Sequence, residues 1–463
     1  MPPDELRVHG RAALEWVAQY LETIRDTPVF DTPEPGFLAE ALPGAAPEHG
    51  EEMGVILADF ERLVVPGLTH WNHPGFYGYF ANSASGPGIL GELLASAVNV
   101  NSMVWKSSPA ATELEDVTTR WLARMLGLPD TFEGVINDTA SSSTMYALAA
   151  ARETTFPEAH EKGLFGLPPG RVYASEEAHS SVEKAVLALG LGQEGMVRIP
   201  VDGARRMDPT GLRRAIATDL EAGRRPMAVV PTLGTTGVAA IDPVAAVIEV
   251  AREFGVWVHV DAAYGGPAAL VPEVAEDFAG WEGGDSIVVN PHKWLFTPMD
   301  CSVLYSRRPE VLARAFSIVP EYLTTEQGAH TRSLMDYGIA LGRRLRSLKL
   351  WFVMRYFGRA GLEGLIEEHL RLARLFASLV EESASWSMAS PLELALVVFR
   401  HDAGDAVTRA AMDRVNETGR AFLTHTVVDD RVVIRLSIGN IRTTEADVRE
   451  VWSLLNQAAD AER

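Results

Sequence analysis

The feature that most limits what this chain can become is a change of rhythm at Gly134. From there to residue 306, short apolar runs alternate with stretches of helical period: GVIND then SSSTMYALAAAR, RVYAS then SSVEKAVLALG, MVRIP then PTGLRRAIATDLEAG. PMAVVPT, DPVAAVIEVAREFG, VWVHVDAA, SIVVNP and CSVLYS continue the series. Apolar strands separated by helices must be covered on both faces, so the expectation is an α/β fold with a mainly parallel sheet between helical layers. Such sheets receive ligands beyond the carboxyl ends of their strands. The distinctive polar motifs of this chain fall at those ends.

One of them is SIVVNPHKWLF, residues 286–296, in which Pro291 stops the strand and Lys293 follows between His292 and Trp294. Such a lysine either runs its stem past an aromatic toward water or, in partly apolar surroundings that favour the neutral amine, serves as a nucleophile able to form a Schiff base. Asp261 closes VWVHV and precedes Ala262, Ala263 and Tyr264. It is either a turn former or a carboxylate that keeps a ring nitrogen protonated and the ring electron-poor. Lysine on one strand end and aspartate on another is what pyridoxal phosphate requires. NDTASSST, residues 137–144, is an N-cap cluster or a phosphate cradle, with Thr139, Ser141 and the first helical N–H groups facing an anion. Asp138 would be repelled by that anion and is expected to point away or cap the helix. His179, in EEAHSSV, either caps a helix or stacks on a flat ring. Thr235 and Thr236 in LGTTG bring hydroxyls to a further strand end.

Residues 1–21 read as an amphipathic helix with Leu6, Ala13, Val17 and Tyr20 near one stripe, without the apolar run of a signal peptide or membrane span. Residues 27–50, rich in proline and glycine, read as an extended connector, and a second helix ends near Val65-Pro66. Further helices are expected over 89–98, 110–128, 334–357 and 362–382, and a loop over 316–332. Strands near 395–400 and 432–437, with a helix from Glu445, indicate a small α+β domain. The domain expectation is therefore an N-terminal helical segment over 1–85, a large domain over 86–358 and a small one over 359–463. Between Thr69 and Gly88 stand Trp71, Phe76, Tyr77, Tyr79 and Phe80, either a core staple or the wall of a ligand pocket. His70 and His73 have no acidic or cysteine partner at metal spacing; they read as polar loop residues, and no metal is expected.

The net charge of −21 argues against nucleic-acid or anionic-membrane partners. Cys301 is the only cysteine, which excludes a disulfide framework or thiolate metal site and points to a reducing, cytoplasmic setting. GLGQEG, from Gly190, follows a helix instead of opening one and is expected to be a turn, not a dinucleotide site.

NPHKW with DCSVLY, HVDAAY, AHSSVEKA, TLGTTG, SPAATELE and LGRRLRSLKLW resemble the group II pyridoxal-phosphate decarboxylases, most closely aromatic-L-amino-acid decarboxylase and its plant tyrosine and tryptophan relatives. EPGFL, PGLTHW and VVIRLSIGN extend the resemblance over almost the whole chain. It implies an aspartate-aminotransferase-like (fold type I) large domain, pyridoxal 5'-phosphate, and conversion of an aromatic L-amino acid to its amine and CO2. It implies Lys293 as the Schiff-base lysine, Asp261 as the pyridinium partner, His179 as the ring-stacking histidine and Thr236 as a cofactor hydroxyl. Thr139, Ala140 and Ser141 fall where the family binds phosphate, with Ala263, Asn290 and His292 at the cofactor. Leu341-Gly342 resembles a segment reaching the phosphate of a neighbouring subunit, which implies a homodimer with a shared site. Tyr322, in VPEYL, matches the tyrosine that protonates the substrate carbon; relatives with phenylalanine there form aldehydes with oxygen. An aldehyde synthase is thus the enzymatic alternative, and a non-catalytic cofactor-binding homologue the other.

Trp71, Tyr79 and Phe80 match the family's aromatic pocket. The chain departs from the family pattern at Asn101 and Met103, where aromatic-specific members tend to be apolar or aromatic, at Ala81, which replaces a proline, and at NDTA, where many carry glycines. A buried Asn101 must find a partner, whether a ring hydroxyl, an indole N–H, an imidazole or only backbone.

Overall fold

The strands form where the apolar runs predict them. In this computed structural model, which describes residues 1–318 and 331–461, they are β1 (Glu133–Asn137), β2 (Gly170–Ser175), β3 (Met196–Ile199), β4 (Arg225–Val230), β5 (Trp257–Asp261), β6 (Ser286–Val289) and β7 (Ser302–Ser306). They make one sheet in the order β1-β7-β6-β5-β4-β2-β3. β2 runs parallel to β3 and β4, β4 to β5, and β5 to β6, whereas β7 is antiparallel to both β6 and β1. The reversal at β7 has a local cause. The β6–β7 connection carries only the one-turn helix Pro291–Trp294, too little for a crossover, so the chain returns beside the strand it left.

β2, β5, β6 and β7 are buried at every position, as a sheet covered on both faces demands. The helix Ala140–Thr155 fits close to the sheet because its inner residues are small: Ala147, Ala149, Ala150 and Ala151 are buried, and Ala147, Ala150 and Ala151 join Val135, Val172, Val182, Val230 and Leu304 in one core.

The chain divides into two units. Residues 82–375 with 390–398 form one, and 1–81, 376–389 and 399–463 form the other. β8 (Trp386–Met388), β9 (Leu396–His401), β10 (Thr424–Val428) and β11 (Arg431–Ser437) make a second sheet in the order β10-β11-β9-β8. Phe376 and Phe399 meet with ring centroids 5.1 Å apart, and Trp452 joins Phe376 edge-on from the helix Glu445–Asp460. In the same unit Val29 N–H donates to Gly419 O and Phe76 bridges Phe422, which ties the N-terminal segment to this core.

Three expectations change. No helix starts at residue 334: Leu334–Tyr337 is a single 3-10 turn, and the helix begins at Arg346. Gly338 explains the break, since a Cβ there would lie 2.6 Å from the Tyr146 ring, and the chain runs extended across that aromatic face. The two helices read as separate beyond it are merged over Arg346–Glu381, kinked at Gly358 (φ 62°, ψ 177°). The 27–50 connector contains the short helix Phe37–Ala41. His70 and His73 lie in irregular chain, as expected, and are buried there: His70 Nδ1 pairs with the Tyr20 hydroxyl at 2.8 Å, and His73 Nδ1 accepts from Gly75 N–H at 2.9 Å. No helix among the described residues is long and apolar enough to cross a membrane.

Candidate active site

Asp261 is the last residue of β5 and only 5% exposed. Its backbone is clamped from one side, donating to Pro231 O at 2.9 Å and accepting from Leu233 N–H at 2.8 Å, while Oδ1 accepts from Ala263 N–H at 3.1 Å. On the other side β6 pairs Val288 with Asp261, and Asn290 N–H donates to Ala263 O at 3.2 Å. Pro291 then opens the one-turn helix that presents Lys293, half-buried, one strand over from Asp261.

The neighbours of Lys293 are fixed by ring contacts. His292 Nδ1 accepts from Cys301 N–H at 3.0 Å, and burial, helped by the Lys293 charge, pushes its pKa down to about 4, so the ring is neutral. Trp294 stacks on Tyr264, centroids 5.0 Å apart and 9° from parallel. The Cys301 thiol is buried and pushed up to about 12, so it is no nucleophile.

Opposite this stands the start of the 140–155 helix. Thr139 is its extended N-cap (φ −134°, ψ 165°), Ala140 is buried against Ala263 and Val288, and Ser141 is exposed. Alanine on both sides, Ala140 against Ala263, lets the helix N-terminus sit directly beside the ends of β5 and β6, with its first N–H groups able to meet an anion. Asp138 bonds locally, accepting from the N–H of the N-cap Thr139 at 2.7 Å and from the Ser142 hydroxyl.

His179 is the N-cap of the helix Ser180–Ala188, with Nδ1 accepting from Ser181 N–H at 3.2 Å. Burial lowers its pKa, with the Asp261 carboxylate raising it and the Lys293 charge lowering it. The two threonines of LGTTG separate in role. Thr235 is buried and its hydroxyl accepts from Ala240 N–H at 3.0 Å, so it builds the turn, whereas Thr236 is exposed at the strand end.

Gly342 is exposed, and a Cβ there would meet nothing within 4 Å. Asn101 is exposed as well, not buried; its amide oxygen accepts from Arg343 N–H at 3.0 Å and its nitrogen faces the part-buried Met103 sulfur at 3.6 Å. Its side chain thus holds backbone. In the other unit Trp71 stacks on Tyr79 with centroids 5.6 Å apart, and Phe80 lies under the Arg435 guanidinium at 5.4 Å. Tyr322 lies outside the described residues. Sequence reasoning missed His259, Ser286 and His369, all buried and hydrogen-bonded near these elements. The only signal for His259 was its place two residues before Asp261.

A pyridine ring carrying phosphate fits what these residues leave open. Among the described residues, Ser175 Oγ at the end of β2, Thr232 Oγ1 just past β4 and Asn290 Oδ1 just past β6 are buried without a hydrogen-bond partner. Buried polar atoms are seldom left so, and here three of them stand at carboxyl ends of strands of one sheet.

The comparisons agree with that chemistry. The pyridoxal-dependent decarboxylase conserved domain matches residues 35–402. The chain is 37% identical to phenylacetaldehyde synthase of Rosa hybrid cultivar, covering all of this chain and 95% of that protein. It is 36% identical to tyrosine decarboxylase 1 of Narcissus pseudonarcissus, covering 100% of this chain and 93% of that one. Its structure superposes on Oryza sativa TDC solved with PLP and tryptamine with a TM-score of 0.97, at 36% identity over 100% of this chain and 99% of that one. With its sheet, its strand-end lysine and aspartate and these relatives, the chain belongs to the group II pyridoxal-phosphate-dependent decarboxylases, in the aromatic amino acid decarboxylase family.

Proposed function

We propose that this enzyme removes CO2 from an aromatic L-amino acid of the tyrosine, phenylalanine, tryptophan or DOPA type and releases the amine. The observation that carries the reading is the meeting of three elements: Asp261 closing β5, Lys293 on the one-turn helix that follows β6, and Ala140, at the N-terminus of the 140–155 helix, packed on Ala263 and Val288. Pyridoxal phosphate, when bound, supplies an electron sink for the bond to the departing carboxylate. In this reading Lys293 holds the cofactor, and Asp261 keeps the ring nitrogen protonated. His179 covers one ring face, Thr236 and His292 contact the ring's surroundings, and Ala263 leaves room for it. Thr139, Asn290, Ser141 and the N–H of Ala140 hold the phosphate. Tyr322 delivers the proton to the substrate carbon.

Trp71, Tyr79 and Phe80 are the aromatic residues that meet the substrate ring in this reading, with Tyr79 held at φ 52°, an unusual conformation for a bulky residue that fits a binding role. Because the Asn101 oxygen holds Arg343, a polar ring substituent is recognised elsewhere. The protein works as a homodimer. Leu90, Leu93, Leu94 and Val98 are exposed on the helix Gly86–Val98, and Leu341 is exposed beside Gly342; a second copy covers them, and Gly342 serves its partner's phosphate site. A reducing cytoplasm suits its single buried cysteine.

A relative named phenylacetaldehyde synthase, at comparable identity, supports a second reading in which oxygen converts the substrate to an aldehyde. Purified, PLP-loaded protein incubated with a panel of L-amino acids decides between them. Amine and CO2 are expected; aldehyde, ammonia and peroxide in their place transfer the assignment, and no product from any aromatic amino acid overturns both. Tyr322→Phe is expected to cut amine formation by about 10²–10⁴-fold, the usual weight of a positioned proton donor.

A further inference from the structure

His259 and Asp261 stand two apart on β5, so their side chains leave the same face of the sheet. Ala140 and Thr144 stand four apart on the helix above and share one stripe. The two pairs meet. Ala140 rests on Ala263 and Val288 at the strand ends, and one turn deeper the Thr144 hydroxyl lies 3.3 Å from His259 Nε2. The other ring nitrogen lies 2.9 Å from the hydroxyl of Ser286, its register partner and the first residue of the strand that leads to Lys293. Trp257 Nε1 donates to the same hydroxyl at 3.0 Å. One fully buried imidazole, carried by β5, thus bonds the helix above it and the neighbouring strand β6.

We propose that His259 is a positioning residue for cofactor binding: it sets the rotation and height of the phosphate-binding helix against Asp261, so that the two grips on the cofactor are gauged from one ring. This rests on the proposed reading of Asp261 and the 140–155 helix. An apolar side chain of similar size would fill the space and leave the helix free to slide, because dispersion has no direction. Two hydrogen bonds do have one. A neutral imidazole, with one donor and one acceptor, serves both, and burial holds its pKa down to about 4. A site held by two remote groups loses its grip when their spacing drifts by a fraction of an ångström.

The test measures PLP dissociation and the visible circular dichroism of the bound cofactor, together with melting of the cofactor-free protein, in His259→Phe, His259→Gln, Thr144→Val and Thr144→Ser. Loss of one net hydrogen bond in the helix clamp is expected to weaken PLP by about tenfold in Thr144→Val. Thr144→Ser should restore binding, and His259→Gln, which keeps a donor and an acceptor, should bind better than His259→Phe. Altered dichroism with little change in melting supports the proposal. Unchanged PLP binding and dichroism in Thr144→Val and His259→Phe overturns it, as does weakening that follows melting alone and is not rescued by Thr144→Ser. Should His259→Phe fail to fold, the Thr144 pair decides. Absence of PLP binding in the unaltered protein would instead sink the reading on which the proposal rests.

Discussion

The Trp294 indole N–H donates to Nδ1 of His369 at 2.9 Å, and the two rings lie 4° from parallel with centroids 6.4 Å apart. The residue after Lys293 is therefore held at its ring edge by the second half of the kinked 346–381 helix and on its ring face by Tyr264. Trp294→Phe keeps an aromatic ring there but leaves His369 Nδ1 buried without its donor. That substitution should cost about 1–3 kcal/mol of unfolding free energy. Trp294→Ala should cost about 3–5 kcal/mol. Urea unfolding of the cofactor-free protein checks both, and a Phe variant as unstable as the Ala variant would show that the hydrogen bond, not the ring, carries the anchor.

Acid should destabilise the fold through buried histidines. His259 and His292 each have a folded pKa of about 4 against an ordinary 6.5, with burial the main cause. Between those values the unfolded chain binds the protons and the folded one does not, so stability falls as pH drops from 6.5 to 4, by roughly 3 kcal/mol per histidine. Asp242 opposes them. Its carboxyl is raised to about 7 by burial, although it accepts from Met207 and Thr232 N–H groups. The folded state protonates it first, which returns about 3 kcal/mol over the same descent. His73, which burial also lowers to about 4, adds to the fall, so the four together leave a net loss of at least about 2 kcal/mol. Unfolding free energies at pH 6.5 and 4 measure it, and a rise on acidification would refute the assignment.

Gly265 carries a steric prediction. A Cβ there would lie 2.3 Å from Leu233 O and 3.0 Å from its carbonyl carbon, both backbone and unable to swing aside. Leu233 N–H is bonded to Asp261 O. Gly265→Ala should thus push the segment after β4 away from Asp261, at about 1–3 kcal/mol of overpacking, and weaken PLP binding in titration. A variant with wild-type melting and affinity would show that the turn yields.

The sheet was legible because its strands are apolar on both faces, a pattern that depends on nothing remote. Lys293 and Asp261 were legible because each closes such a run. What stayed hidden depends on partners far along the chain. The start of the 346–381 helix is delayed by Gly338 crossing Tyr146, and His259 is explained only by Thr144, 115 positions away. Asn101 misled for a related reason. It stands one residue before buried Ser102 and near buried Val104, and its exposure is set by which side of an irregular segment faces out.

Glu115 and Arg343 form the most deeply buried ion pair near the candidate site, 2.7 Å apart with side chains 1% and 5% exposed. Glu115 Oε1 also accepts from Ile136 N–H at 2.8 Å, and the same guanidinium nitrogen donates to Ile136 O at 2.8 Å, so the pair straps β1 to the segment following Gly342. Removing one charge leaves the other stranded in a low-dielectric interior. Glu115→Gln is expected to cost about 3–5 kcal/mol, whereas Glu115→Leu with Arg343→Met, which removes both charges, should cost markedly less. Because Asn101 Oδ1 accepts from Arg343 N–H, the strand of chain bearing Leu341 and Gly342 should loosen in the single variant and stay ordered in the double one. Hydrogen exchange at residues 339–345, read beside urea unfolding, separates the cases: equal protection in both variants would mean that the backbone bond alone orders this segment.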